Sequence, residues 1–147
     1  MWNKIENNKD VESFMKKMQY FHDCCVKEMK YVSGSYVDEE LAMYPINDCR
    51  TLRILLQRQV RYPSMIELEF CGLRKMVLCP IGEEYTSEIF EASLVYKKGL
   101  FYWCDSSENI NSNRHDIDGI LIISEELRWR GLDAYPGKEE VYIAREF

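Results

Sequence analysis

Across residues 51–80, apolar side chains recur at every second position in short stretches. Leu52, Ile54 and Leu56 are followed, past Arg61-Tyr62-Pro63, by Ile66, Leu68 and Phe70, and past Gly72 by Met76 and Leu78. Alternation of period two, punctuated by Pro and Gly, predicts an antiparallel meander with one face toward a core and the other toward water. Upstream the period changes. Val11, Phe14, Met15, Met18 and Phe21 fall at spacings of three and four with Lys16 and Lys17 outside the stripe, which predicts one amphipathic helix over residues 8–21. Asn8 or Asp10 can cap it, and His22 lies near its far end.

Residues 24–32, closed by Ser33-Gly34-Ser35, read as the next strand. Residues 36–49 mix Asp38-Glu39-Glu40 with Met43, Tyr44 and Ile46 around Pro45, and read as a long loop or a short irregular strand. Residues 88–96 and 100–104 form a hairpin candidate about Lys97-Lys98-Gly99, with Phe90, Ala92, Leu94 and Tyr96 toward one side. Residues 106–116 are rich in Asn and Ser and predict a mobile loop. The run Gly119-Ile120-Leu121-Ile122-Ile123 predicts a strand buried on both faces, residues 127–132 continue it or begin another element, and residues 141–147 supply a last strand. One helix followed by seven or eight strands, without βαβ alternation, predicts an α+β, mainly β fold. The helix would pack on an antiparallel meander forming a curved sheet, a sandwich or a partly open barrel.

The alternation also constrains register. Leu52, Ile54 and Leu56 share a face with Ile66, Leu68 and Phe70 only if paired residue numbers sum to an even value, with residue 56 opposite 68 or 70 and an odd-length loop around Tyr62-Pro63. That register gathers Arg53, Gln57 and Gln59 with Glu67 and Glu69 on the solvent-facing side. Leu55 and Arg58 break the pattern, so either that polar face is partly covered or the strand is twisted.

With 147 residues and no Pro/Gly/Ser-rich linker, the chain reads as a single globular domain over residues 1–147, and its 46% hydrophobic and 13% aromatic content argues for a folded globule. The formal charge of -6 opposes a duplex nucleic-acid footprint, which needs clustered Lys and Arg. Acidic groups at 38–40, 83–84, 125–126 and 139–140 would steer a basic partner or serve as a solvated surface. No apolar run approaches a membrane span, and the first thirty residues lack a secretory apolar core. The six Cys are therefore expected as free thiols in a cytoplasmic protein, several acting as small core residues.

Candidate chemistry is sparse. His22-Asp23 and His115-Asp116 contain the only two His and could share a metal as a small hydrolase, if they converge. Cys104 with His115, or Cys24 or Cys25 beside His22, could form a nucleophile pair, but nothing marks an oxyanion hole. No Gly-rich phosphate loop or cofactor motif occurs, so no cofactor is expected. Leu127-Arg128-Trp129-Arg130 could stack a base and hold phosphate; in a strand, Trp129 would instead point inward with Leu127 while Arg128 and Arg130 point out.

The segment from Tyr20 through Phe21-His22-Asp23-Cys24-Cys25 to Glu28, followed by alternating strands and Glu69-Phe70-Cys71-Gly72-Leu73, resembles small bacterial β-rich proteins with an opening Phe-His-Asp motif. Some of these are grouped with immunity proteins of polymorphic toxin systems. The resemblance implies a non-enzymatic binding protein, of the kind that covers a toxin's active site, with Phe21, His22 and Asp23 as a structural corner. Together these readings favour a protein-interaction module with a basic partner. Its candidate contacts are Tyr62, Trp103 and Trp129 among the aromatics, and Glu67 and Glu69 among the acids. A metal-dependent hydrolase and a small-ligand β-barrel are the alternatives.

Overall fold

The computed structural model describes residues 1–107 and 118–146. Its helix, α1 (Asn8–Lys17), opens at residue 8 as the spacing predicts, but its cap is neither Asn8 nor Asp10. Asn7 is the cap: its Oδ1 accepts from the Asp10 N–H at 2.9 Å, satisfying one orphan donor of the first turn, and the Asp10 carboxylate accepts from the Glu6 N–H, just before the cap, at 3.0 Å. The helix also stops four residues before Phe21. Gln19, Tyr20 and Phe21 turn left-handed, with φ between 52° and 57°, as a short 3-10 turn. Such geometry costs about 1–2 kcal/mol per residue. Here it swings Phe21 into the core, fully buried against Phe14 and Trp103 with ring centroids 5.7 and 6.2 Å away.

The Phe21-His22-Asp23 segment is then a corner. The Asp23 N–H donates to the Ile89 carbonyl at 3.0 Å, His22 Nδ1 lies 2.7 Å from the Phe90 carbonyl, and the Ala92 N–H donates to Tyr20 at 2.8 Å. Residues 89–92 are thereby fastened beneath the helix end. They are not strand, and Phe90 is exposed rather than facing inward with Ala92 and Leu94.

Nine strands are present among the described residues. In chain order they are β1 (Asn3–Ile5), β2 (Cys25–Val32), β3 (Tyr36–Val37), β4 (Met43–Tyr44), β5 (Thr51–Gln57), β6 (Met65–Leu78), β7 (Ser93–Lys97), β8 (Leu100–Cys104) and β9 (Ile120–Leu132). The main sheet runs β2-β5-β6-β9-β8-β7, with β1 also paired to β9, and every strand pair is antiparallel. It is not closed into a barrel. β3 and β4 form a separate two-stranded hairpin.

Three expectations change. β1 precedes the helix and carries too few residues to show alternation. Gly72 does not separate two strands: it lies within the 14-residue β6 at φ +63°, and a Cβ there would sit 2.5 Å from a Glu125 carboxylate oxygen, so the position favours glycine. Residues 141–146 form no strand. Residues 120–132, in contrast, do form one continuous strand.

The β5–β6 pairing sum is even, as required, and residues 58–64 make an odd-length connection. The offset differs from expectation: Leu56 faces Ile66, Ile54 faces Leu68 and Leu52 faces Phe70. One face of the sheet, with these residues, Leu127, Trp129, Ile122, Phe101 and Trp103, packs against Val11, Phe14 and Met15 of α1. Trp129 lies 5.3 Å from Phe14, and Trp103 is completely buried between Phe21 and Phe70. Aromatic side chains pack this face, and the open sheet encloses no barrel lumen.

Candidate functional site

The opposite face carries the charges. Across five strands, Cα register places Lys30, Arg53, Glu69, Arg128 and Lys4 side by side in one row, on β2, β5, β6, β9 and β1 respectively. The adjacent row is Glu28, Leu55, Glu67 and Arg130. Directly opposed side chains on one face of a sheet lie about 5 Å apart, so each carboxylate meets its neighbour's guanidinium.

Glu67 and Glu69 are not solvent-facing: their exposures are 2% and 1%. Glu67 receives Arg130, with Nε and Nη2 both 2.6 Å from Oε2. Glu69 receives two arginines: Arg53 Nε at 2.7 Å on Oε2, and Arg128 Nε at 2.5 Å on Oε1 with its Nη2 alongside. Cys71 Sγ adds a weaker bond at 3.4 Å. Burial pushes the Glu69 carboxyl up, but the hydrogen bonds from Arg53, Arg128 and Cys71 outweigh it and hold its pKa below the ordinary value. Burial, reinforced by the neighbouring Glu69, lifts the Cys71 thiol to about 11.

Glu67 is also covered because the chain returns over its row. The Lys27 ammonium donates to the Gly137 carbonyl and Ser64 Oγ to that of Ala134, while Tyr135 OH donates to Arg61. Further along, the Val141 and Tyr142 N–H groups donate to the Glu28 carboxylate at 2.7 and 2.8 Å, and Tyr142 OH donates to Glu67 at 3.1 Å. Since Glu28 and Glu67 flank Leu55 in their row, Tyr142 bridges above a fully buried leucine. Burial, with Glu67 close by, raises the Tyr142 phenol far above its usual range, so it remains a donor. On the other side, the Trp2 ring lies 4.7 and 4.5 Å from the guanidinium carbons of Arg128 and Arg130.

The seal is incomplete beside Glu69. A hollow of about 310 Å³ opens over Lys30, Arg53 and Arg128, walled by Val32, Cys49 and Cys71. A second, of about 410 Å³, adjoins it across Arg128 and Cys71 and holds Glu125 and Glu126.

A different surface is presented by the β3–β4 hairpin. It pairs with no strand of the main sheet, and Tyr36, Val37, Leu41, Met43 and Tyr44, with Ile46 beyond, are all exposed. Tyr36 and Tyr44 stack at 4.8 Å and 13°. The Asp38 carboxylate accepts from the Glu40 and Ala42 N–H groups, fixing an acidic tip of Asp38, Glu39 and Glu40 with Leu41 at its crest.

Of the sequence-derived contact residues, Tyr62 alone is well exposed, on the loop before β6. Trp103 and Trp129 belong to the core, and Glu67 and Glu69 are consumed by arginines, so these four are corrected from contact residues to interior ones. His22 is 3.4 Å from Asp23 through Nε2. His115 and Asp116 lie outside the described residues, and among the described residues no group of three or more His, Cys, Asp or Glu gathers as a metal site. Cys24 and Cys104 are buried, and burial raises both thiols, Cys24 to about 11, so neither is a ready thiolate nucleophile. No described helix is long and apolar enough to cross a membrane.

Sequence reasoning missed Lys30, Lys4, Trp2 and the hairpin apolar residues. Two signals pointed toward the row: Leu55 interrupting a polar face, and arginines flanking Trp129. Comparison with protein-family models finds none that matches the chain, and searches of curated proteins and of solved structures return no match.

Proposed function

We propose that this chain is a non-enzymatic protein-binding module whose docking element is the β3–β4 hairpin. The observation that supports this reading is a hairpin outside the main sheet whose apolar side chains are spent on no core of their own. Leu41 at 84% and Met43 at 69% exposure are costly to leave in water and suited to burial against a partner. The acidic tip beside them favours a basic partner, steering its approach and fixing orientation. The narrower form of the reading is an immunity-type inhibitor of a bacterial toxin, whose basic active-site surface the acidic hairpin would cover.

The test is co-purification with the protein encoded beside this gene, using the native chain and the pair Leu41→Asp, Met43→Asp. The native chain is expected to retain that partner at low salt and release it as salt rises, whereas the double variant should not retain it at any ionic strength. Absence of binding by the native chain, or equal retention by the variant, overturns the reading.

A further inference from the structure

We infer that the hollow over Lys30, Arg53 and Arg128 is a binding site for a small phosphate monoester. Stability of the fold asks less of this region than it contains. Two residues away, Glu67 is buried to the same degree and is satisfied by one arginine and one tyrosine. Glu69 has two arginines, and Lys30 completes the row beside Arg53, although it forms no ion pair among the described residues. Three cations therefore line the hollow against one carboxylate, which leaves two positive charges unmatched in a protein of formal charge -6.

Their geometry suits an anion. Arg53 gives its Nε to Glu69, and its two terminal nitrogens have no hydrogen-bond partner among the described residues. Arg128 is fixed by Glu69 on one side and the Trp2 ring on the other, so ligand binding orders little that is not already ordered. A guanidinium held this way presents paired donors that match phosphate oxygens, and the ammonium of Lys30 adds a mobile point charge. The unmatched charge agrees with the roughly -1.5 to -2 of a phosphate monoester. The hollow, at about 310 Å³, exceeds what a bare phosphate would fill, and Val32 and Cys49 give it an apolar wall for the ester group. The acidic Glu125 and Glu126 line the neighbouring hollow rather than this one.

Isothermal titration of the full chain with phenyl phosphate, inorganic phosphate and benzenesulfonate tests the assignment. Phenyl phosphate should bind tightest; benzenesulfonate, of similar shape but one charge, should bind about tenfold or more weakly. Lys30→Gln and Arg53→Gln should each weaken phenyl phosphate about fivefold to tenfold, while Lys98→Gln, at a distant turn, should change nothing. Because Lys30 is exposed and has no ion-pair partner among the described residues, its variant folds normally and its loss of binding cannot be laid to unfolding. No binding up to millimolar phenyl phosphate, affinity unchanged in both variants, or a phosphoserine peptide bound more tightly than phenyl phosphate would each overturn the assignment.

Discussion

Glu67 and Glu69 stand two residues apart on β6, on the same face, at nearly the same burial, yet their surroundings differ in kind. Glu67 is closed in: Arg130 takes one oxygen, Tyr142 the other, and the returning C-terminal segment lies over the pair. Glu69 is open on one side: two arginines share it, and both border a hollow. Identical chemistry at identical spacing thus serves two ends. A carboxylate with one guanidinium and a lid is neutralised and satisfied, which is what a buried acid needs to be tolerated. A carboxylate with two guanidiniums and no lid anchors cations whose remaining donors point outward.

The comparison can be broken most severely at Arg130. Arg130→Ala leaves Glu67 buried with Tyr142 as its partner, and should lower stability by about 3–5 kcal/mol in urea unfolding. Arg53→Ala should lose only about 1–2 kcal/mol, because Arg128 still neutralises Glu69. Equal losses would mean the two acids are equivalent. Tyr142→Phe comes next, at about 1 kcal/mol, the contribution of one hydrogen bond to a buried acid whose ion pair survives. Loss of a whole ion pair's worth would instead show that the segment, not Arg130, keeps Glu67 satisfied.

Acid sharpens the comparison further. Glu69 is held below its ordinary value of 4.5 in the folded chain, so its contribution is fully present above that pH and is lost as pH falls through the lower, folded value. The Arg53→Ala chain should therefore lose stability less steeply with acid than the native chain, as read from urea midpoints at a series of pH values. The smallest effect belongs to the hairpin. Leu41→Asp should shift stability by no more than about 0.5 kcal/mol, since Leu41 is exposed and packs in no core.

Much of the fold was legible because one face of the sheet obeys a single rule. Leu52, Ile54, Leu56, Ile66, Leu68 and Phe70 alternate because that face is buried throughout, against the helix and the turn that follows it, and parity fixed the even register of β5 on β6. The exact offset was not legible, because alternation repeats every two residues and cannot separate Leu56 opposite Ile66 from Leu56 opposite Leu68. The charged face misled for a physical reason: charge in an alternating strand reads as exposure, and what reverses it is tertiary, arginines of neighbouring strands over both acids and residues 134–142 over Glu67. The local trace of that contact was Leu55, out of phase among polar residues and now seen to lie beneath Tyr142. The row itself needed strand order. Lys30, Arg53, Glu69 and Arg128 are spread over nearly a hundred residues, and β9 lying beside β6 cannot be read from either strand alone.

The direct test of the difference between the two acids is to follow the Arg Nε–H signals by NMR while adding phenyl phosphate. Arg53 and Arg128 should shift in step with binding while Arg130 stays fixed. Movement of Arg130 together with the others, or of none of the three, would contradict the division of this face into a sealed pair and an open one.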